Sequence, residues 1–122
     1  MASEKEMIDT LDAIQKGNNG FIAASLVDLE SGMTLAVKTA RADFDLTAAS
    51  AYNSELVKQK QKVMKALKLQ THLEDMILTL GDQIHMIKLI TPTAFVYLAA
   101  DRSVANLAIV RNAIGKHAGE LI

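Results

Sequence analysis

Two strand-length segments, residues 21–27 and 94–100, carry no charged residue and place apolar side chains at consecutive positions. Successive strand residues point to opposite faces, so such strands must be covered on both sides. A chain with two of them needs a sheet with further layers above and below. Hydrophobic residues make up 50% of the chain, enough to fill those layers, and with no Trp, three Phe and two Tyr the core is expected to be aliphatic. At 122 residues the chain fits one domain, 1–122, because halving it would leave two pieces too small for a good core.

The remaining segments supply the layers. Ser3 and Glu6 have the spacing of a capping box, in which each side chain bonds the other residue's backbone N–H at a helix start. Met7, Ile8, Leu11 and Ile14 then fall on one helical stripe, and Gly17-Asn18-Asn19-Gly20 is expected to stop that helix through left-handed backbone. The first apolar strand, residues 21–28, turns through Leu29-Glu30-Ser31-Gly32 into a returning strand at residues 33–38. Asp43 or Asp45 can cap a long helix running to about Lys68. Strands follow at residues 76–80, at 83–90 beyond a tight Gly81-Asp82 turn, and at 94–100 beyond Thr91-Pro92-Thr93. Asp101 or Ser103 is expected to open a last helix with Val104, Leu107, Ala108, Val110 and Ile114 on one stripe, broken or frayed at Gly115. Strands joined by short turns are antiparallel neighbours. The expected fold is α+β, a five-stranded antiparallel sheet in α/β/α layers with element order α-β-β-α-β-β-β-α.

The long helix says most about function. At about 100° per residue, Leu46, Ala49, Leu56, Val57, Val63, Met64 and Leu67 gather in one sector, with Tyr52 on its shoulder and Ala48 and Ala66 extending it. That arc is wider than one helix needs to sit on one sheet. Asn53 and Lys60 fall near its middle, seven residues apart, as polar residues do where they set register in paired helices. A second apolar partner is therefore expected, a copy of the same helix for preference. The competing reading makes Lys60 an ordinary lysine whose stem lies along the edge of a core face. On the opposite side Lys58, Lys62, Lys65 and Lys68 form a stripe. A solvated face, with Glu55 pairing Lys58 or Lys62, is the plainest reading, ahead of an acidic protein partner and, last, nucleic acid, since no aromatic or Arg residue interleaves the lysines for base stacking.

Several function classes are excluded or disfavoured. A formal net charge of −1 gives no general attraction to nucleic acid or anionic lipid. Without cysteine there are no disulfides, thiolate nucleophiles or thiolate metal sites, which suits a reducing compartment. The first residues are polar and charged, and no stretch approaches the roughly 20 apolar residues that cross a bilayer, so a cytoplasmic protein without membrane insertion is expected. Gly17-Asn18-Asn19-Gly20 precedes a strand, whereas a phosphate cradle follows one, and Gly-x-Gly-x-x-Gly is absent. His72, His85 and His117 lie in three separate elements without ligand spacing, and His85, between Ile84 and Met86, is expected on a polar edge or face. Ser31 lacks a nucleophile elbow, and Glu74-Asp75, adjacent on a strand, would point to opposite faces. Arg111, inside the last helix's apolar stripe, is expected to lay its stem over the sheet with its head in water or on a carboxylate. No catalytic, cofactor or metal residue emerges, and the expected protein is not an enzyme.

Taken together, the pattern resembles the roadblock family of dynein-type light chains and their bacterial and archaeal relatives. Residues 20–28, Gly-Phe-Ile-Ala-Ala-Ser-Leu-Val-Asp, and 31–36, Ser-Gly-Met-Thr-Leu-Ala, look like its opening hairpin with an Asp-x-x-x-Gly turn. Asn106-Leu107-Ala108-Ile109-Val110-Arg111 looks like its final helix. The likeness spans nearly the whole chain and rests on order and lengths as much as on these segments. It implies a profilin-like fold, the long helix on one face of the sheet and the terminal helices on the other. It also implies a homodimer in which long helices pair and third strands join edge to edge, with an interface over Ala49, Asn53, Leu56, Lys60, Val63, Leu67, Met76 and Leu78. Family members regulate or scaffold Ras-like small GTPases, motor subunits or signalling kinases and have no active site. A second expectation, from a different class, is a small-molecule sensor, for which Ala23, Ala24 and Ser25 could leave room between sheet and helix.

Overall fold

The computed structural model describes residues 3–119 and residue 121. Its elements follow the order α1 (Glu4–Lys16), β1 (Phe21–Asp28), β2 (Thr34–Thr39), α2 (Leu46–Ala66), β3 (Asp75–Thr79), β4 (Gln83–Thr91), β5 (Ala94–Asp101) and α3 (Leu107–Gly119). The strands make one antiparallel sheet ordered β2-β1-β5-β4-β3. The two segments apolar on both faces, β1 and β5, are central neighbours, paired from Phe21 opposite Ala100 to Asp28 opposite Ala94. Both bury every residue but their ends.

Local chemistry sets the boundaries. Ser3 Oγ accepts from the Glu6 N–H at 3.1 Å and Glu6 accepts from the Ser3 N–H at 3.2 Å, which completes the capping box. The β1–β2 turn is closed by Asp28, whose carboxylate accepts from the Ser31 hydroxyl at 2.6 Å and the Ser31 N–H at 3.0 Å. Those bonds favour the ionised form and hold Asp28 below the ordinary carboxylate range. Asp45 caps α2 by accepting from the Ala48 N–H at 3.0 Å. The Gly81-Asp82 turn closes with the Leu80 N–H donating to the Gln83 carbonyl at 2.8 Å.

Three boundary expectations are corrected. The Asp101 carboxylate accepts from the Ser103 N–H at 2.9 Å and its hydroxyl at 2.7 Å, so both residues close a turn, Val104 stays exposed, and α3 begins only after Asn106, whose Oδ1 accepts from the Ile109 N–H. Gly115 lies inside α3, which runs on unbroken to Gly119. The stop of α1 is right-handed at Gly17 (φ −85°), and the left-handed residue is Gly20 (φ 81°).

The sheet carries a core on each face. On one, α1 and α3 contribute Leu11, Ile14, Val110 and Ile114 against Leu26, Met86, Val96 and Leu98. Here α1 lies on β2 and β1, and α3 on β4. Ion pairs strap both helices to the edge strands, Asp12 to Lys38 at 2.7 Å and Arg111 to Asp75 at 3.2 Å. Arg111 thus has its head on a carboxylate, as its place in the sequence suggests. On the other face α2 brings Leu46 and Val57 against Val27, Ile87, Phe95 and Tyr97.

Two glycines should respond oppositely to alanine. At Gly20 a Cβ would meet Val104 Cβ at 3.1 Å and the Asp101 carbonyl at 3.2 Å on left-handed backbone, whereas at Gly115 the nearest atom is Lys88 Cε at 3.7 Å. Gly115→Ala should therefore stabilise by about 0.5–1 kcal/mol. Gly20→Ala should destabilise by at least about 1 kcal/mol. Urea unfolding of both variants beside the parent measures the two signs.

Candidate functional site

The seat of α2 is built from small side chains. Ser50 and Ser54 lie on its sheet-facing side, fully buried with Leu46 and Val57. Ser50 Oγ meets Ser25 Oγ of β1 at 3.0 Å, and the Ser54 hydroxyl donates to the Ser50 carbonyl at 2.8 Å. Ala23 and Ser25 beneath are fully buried, so the small residues of β1 receive the helix instead of opening a ligand cavity. At the β1–β2 turn, Gly32 (φ 73°) sits so close that a Cβ would stand 3.4 Å from Ala51 Cα. Lys58 adds a tie, donating from Nζ to the Glu30 carbonyl at 2.9 Å, with Glu55 at 3.6 Å.

This seat divides the wide apolar arc in two. The sheet side takes Leu46, Ser50, Ser54 and Val57. Ala49, Asn53, Leu56, Lys60, Val63 and Leu67 form a second stripe at alternating spacings of four and three, the seam spacing of paired helices. Ala49, Asn53 and Leu56 each immediately precede a sheet-facing residue, so the second stripe lies about 100° around the helix. Leu56 is 37% exposed, Val63 46% and Leu67 64%, while Ala49 and Asn53 are half-buried and Lys60 is exposed. Six of the eight residues read from the sequence are thus one continuous helix stripe. The other two, Met76 and Leu78, are half-buried on the α2 side of edge strand β3.

Coverage of the sheet explains why this stripe is bare. Five strands spaced about 4.8 Å apart need roughly two helices, each about 10 Å across. The first face has two, whereas α2 alone sits on the second and packs chiefly on β1 and β2. Among the described residues no equivalent helix covers the β4–β3 half of that face, which carries Met76 and Leu78.

At the start of α2, Phe44 stacks on Tyr97 with centroids 6.5 Å apart, and both meet His85 edge-on. The Tyr97 hydroxyl lies 3.2 Å from His85 Nδ1, and His85 Nε2 lies 2.7 Å from Gln83 Oε1. His85 therefore sits half-buried in an aromatic cluster on the α2 side of the sheet and not on a polar edge or face. Pairing β4 Ile87 with β5 Tyr97 carries His85 to the same face, a placement that its neighbours in sequence did not reveal. Burial lowers the imidazole below its ordinary 6.5 and pushes the Tyr97 phenol up to about 12. Among the described residues no group of three His, Asp or Glu converges as a metal site, and no helix is long and apolar enough to cross a membrane.

No protein-family model matches this sequence, and no curated protein matches it. Solved structures do resemble it. MglB of Myxococcus xanthus superposes with a TM-score of 0.88 at 15% identity, covering 99% of this chain and 88% of that one. The gliding protein MglB of Thermus thermophilus gives 0.85 at 17% identity, covering 99% and 90%. A Roadblock/LC7 domain from Streptomyces avermitilis gives 0.82 at 12% identity, covering 98% and 94%. The chain has the roadblock-like, profilin-like α+β fold.

The half-buried imidazole gives a pH signature. Its folded-state pKa is depressed, so the unfolded chain binds more protons just below pH 6.5, and the stability it contributes is full above that pH and lost as pH falls through it. The thermal midpoint should fall more steeply between pH 7 and pH 5 in the parent than in His85→Gln. Parallel melting profiles of the two would show that His85 does not titrate differently in the folded state.

Proposed function

We propose that this chain is a non-catalytic, cytoplasmic interaction module that pairs with a second copy of itself and regulates or scaffolds a Ras-like small GTPase. The observation that carries the reading is the bare seam of α2 beside a sheet face short of one helix. A second copy would supply that helix, and its seam would present the same spacing of Ala49, Asn53, Leu56, Lys60, Val63 and Leu67. Asn53 and Lys60 would set the register, since polar groups inside an apolar seam penalise every alignment that leaves them unpaired. The exposed edge of β3 offers unpaired backbone groups for joining two sheets into one. Likeness to MglB and to a Roadblock/LC7 domain supports the assignment to regulatory modules, and the small GTPase comes from the family resemblance. Ala23 and Ser25 are packed under α2, so the room that the small-molecule alternative looks for beside them is filled by the helix.

Sedimentation across a concentration series should give a species near twice 13.2 kDa. Leu56→Glu and Val63→Glu should each weaken pairing roughly a hundredfold, since a buried unpaired carboxylate costs several kcal/mol. Unchanged dissociation constants in both variants would move the interface elsewhere. The paired form should bind a small GTPase encoded beside it and alter its rate of nucleotide hydrolysis or exchange. A dimer without effect on that GTPase would leave the pairing and remove the partner.

A further inference from the structure

Charge is distributed unevenly along this near-neutral chain. Between Glu55 and Glu74 there is no acidic residue, yet Lys58, Lys60, Lys62, Lys65 and Lys68 fall in that interval. Lys58 is tied to Glu30 and Glu55, and Lys60 belongs to the seam. Lys62 and Lys65 lie on the flank of α2 away from the seam, and among the described residues neither they nor Lys68 joins an ion pair.

Lys68 stands out by its backbone. It is the one non-glycine residue with positive φ, 58°, among the described residues. It ends α2 in a Schellman motif, its own N–H donating to the Lys65 carbonyl at 3.0 Å and the Leu69 N–H to the Met64 carbonyl at 3.0 Å. Glycine suits that position and a Cβ is strained there. A lysine, where the backbone favours glycine, therefore stands at the end of the lysine stripe.

The same helix stop forms one wall of a groove of about 570 Å³. Its floor is apolar, from Met64, Leu69, Leu73 and Leu89, with Leu69 48% exposed inside it. Lys65, His72 and Lys88 stand around it against the single acid Glu74. From these features we infer that the groove and lysine flank bind an acidic, amphipathic peptide segment of a partner protein. Its apolar side chains would enter the groove, and its carboxylates would lie along Lys62, Lys65 and Lys68. A concave apolar floor selects inserted side chains, which a flat bilayer surface would not supply. Residues 56–92 contain no Phe, Tyr, Trp or Arg for bases to stack on, which disfavours nucleic acid. The site goes beyond the paired-helix reading, and its lysine flank lies on the other side of α2.

The test is fluorescence anisotropy with two dye-labelled synthetic peptides, one with two leucines set among six glutamates and one with serines in place of the leucines. The leucine peptide should bind roughly tenfold more tightly than the serine peptide and weaken as salt rises. Lys62→Ala with Lys65→Ala should reduce binding of both peptides. Lys68→Gly is the decisive variant, because it should raise the thermal midpoint while weakening the leucine peptide several-fold. Equal binding of the two peptides, or unchanged affinity in Lys68→Gly, would overturn the proposal by leaving only non-specific charge attraction. Binding to phosphatidylserine vesicles without binding to either peptide would overturn it in favour of a membrane surface. The Leu56→Glu variant should bind the leucine peptide as the parent does, and loss there would overturn the site as a property of the single chain.

Discussion

The close approach of α2 to β1 fixes the rest of the molecule. Two serine hydroxyls, Ser25 and Ser50, face each other at 3.0 Å in a mostly apolar layer, and Gly32, on left-handed backbone, comes so near that a Cβ would touch Ala51 Cα at 3.4 Å. Contact this close holds the helix over one half of the sheet. A helix seated on larger residues could stand higher and straddle the middle strands. Held down over β1 and β2, α2 leaves the β4–β3 half short of a cover and turns its second stripe away from its own core. The two hydroxyls share one hydrogen bond, one donating and the other accepting, so each oxygen has a partner inside the small seat.

Electrostatics follows the same division. On the face of α1 and α3, ion pairs at both edges tie helix to strand, Asp12 with Lys38 and Asp75 with Arg111. Exposed pairs of this kind stabilise little, and their effect is chiefly to fix orientation. On the other face the only such tie among the described residues is Lys58 to the β1–β2 turn. The two flanks of α2 differ, one a mostly uncharged stripe and the other a lysine flank. A helix with two unlike free flanks can serve two unlike contacts.

Where one residue type has one physical use, the sequence was easy to read. The uncharged runs of β1 and β5 had to be strands covered on both faces, and the Ser3–Glu6 box marked a helix start. The exposed stripe of α2 was legible because Leu56, Val63 and Leu67 keep heptad spacing in any context. What could not be read depended on contacts distant in sequence. Ser50 and Ser54 look polar and exposed until β1 is found to present Ala23 and Ser25 to them. Asp101 and Ser103 cap helices elsewhere, and here they bond each other because the chain must turn beside Gly20 before α3 can start, with the Asp101 N–H donating to the Gly20 carbonyl at 2.7 Å. His85 alternates like an edge residue, and only the register of β4 against Tyr97 places it among aromatics. The groove beneath Leu69 gave no signal, because its walls come from a helix stop, a connection and a distant strand turn.

The central pairing of β1 with β5 has a bearing on how the chain comes to be folded. Phe21 lies opposite Ala100, so most of the polypeptide must be made before β1 gains its second neighbour. As it leaves the ribosome the strand can pair with β2, but its other edge stays open and neither face is fully covered. Closing so long a loop before the contacts that reward it slows folding. A segment apolar on both faces and open along one edge during that wait is a place where strands of different chains can pair. The feature that makes the centre of the mature sheet secure is therefore the one that leaves the nascent chain most in need of protection.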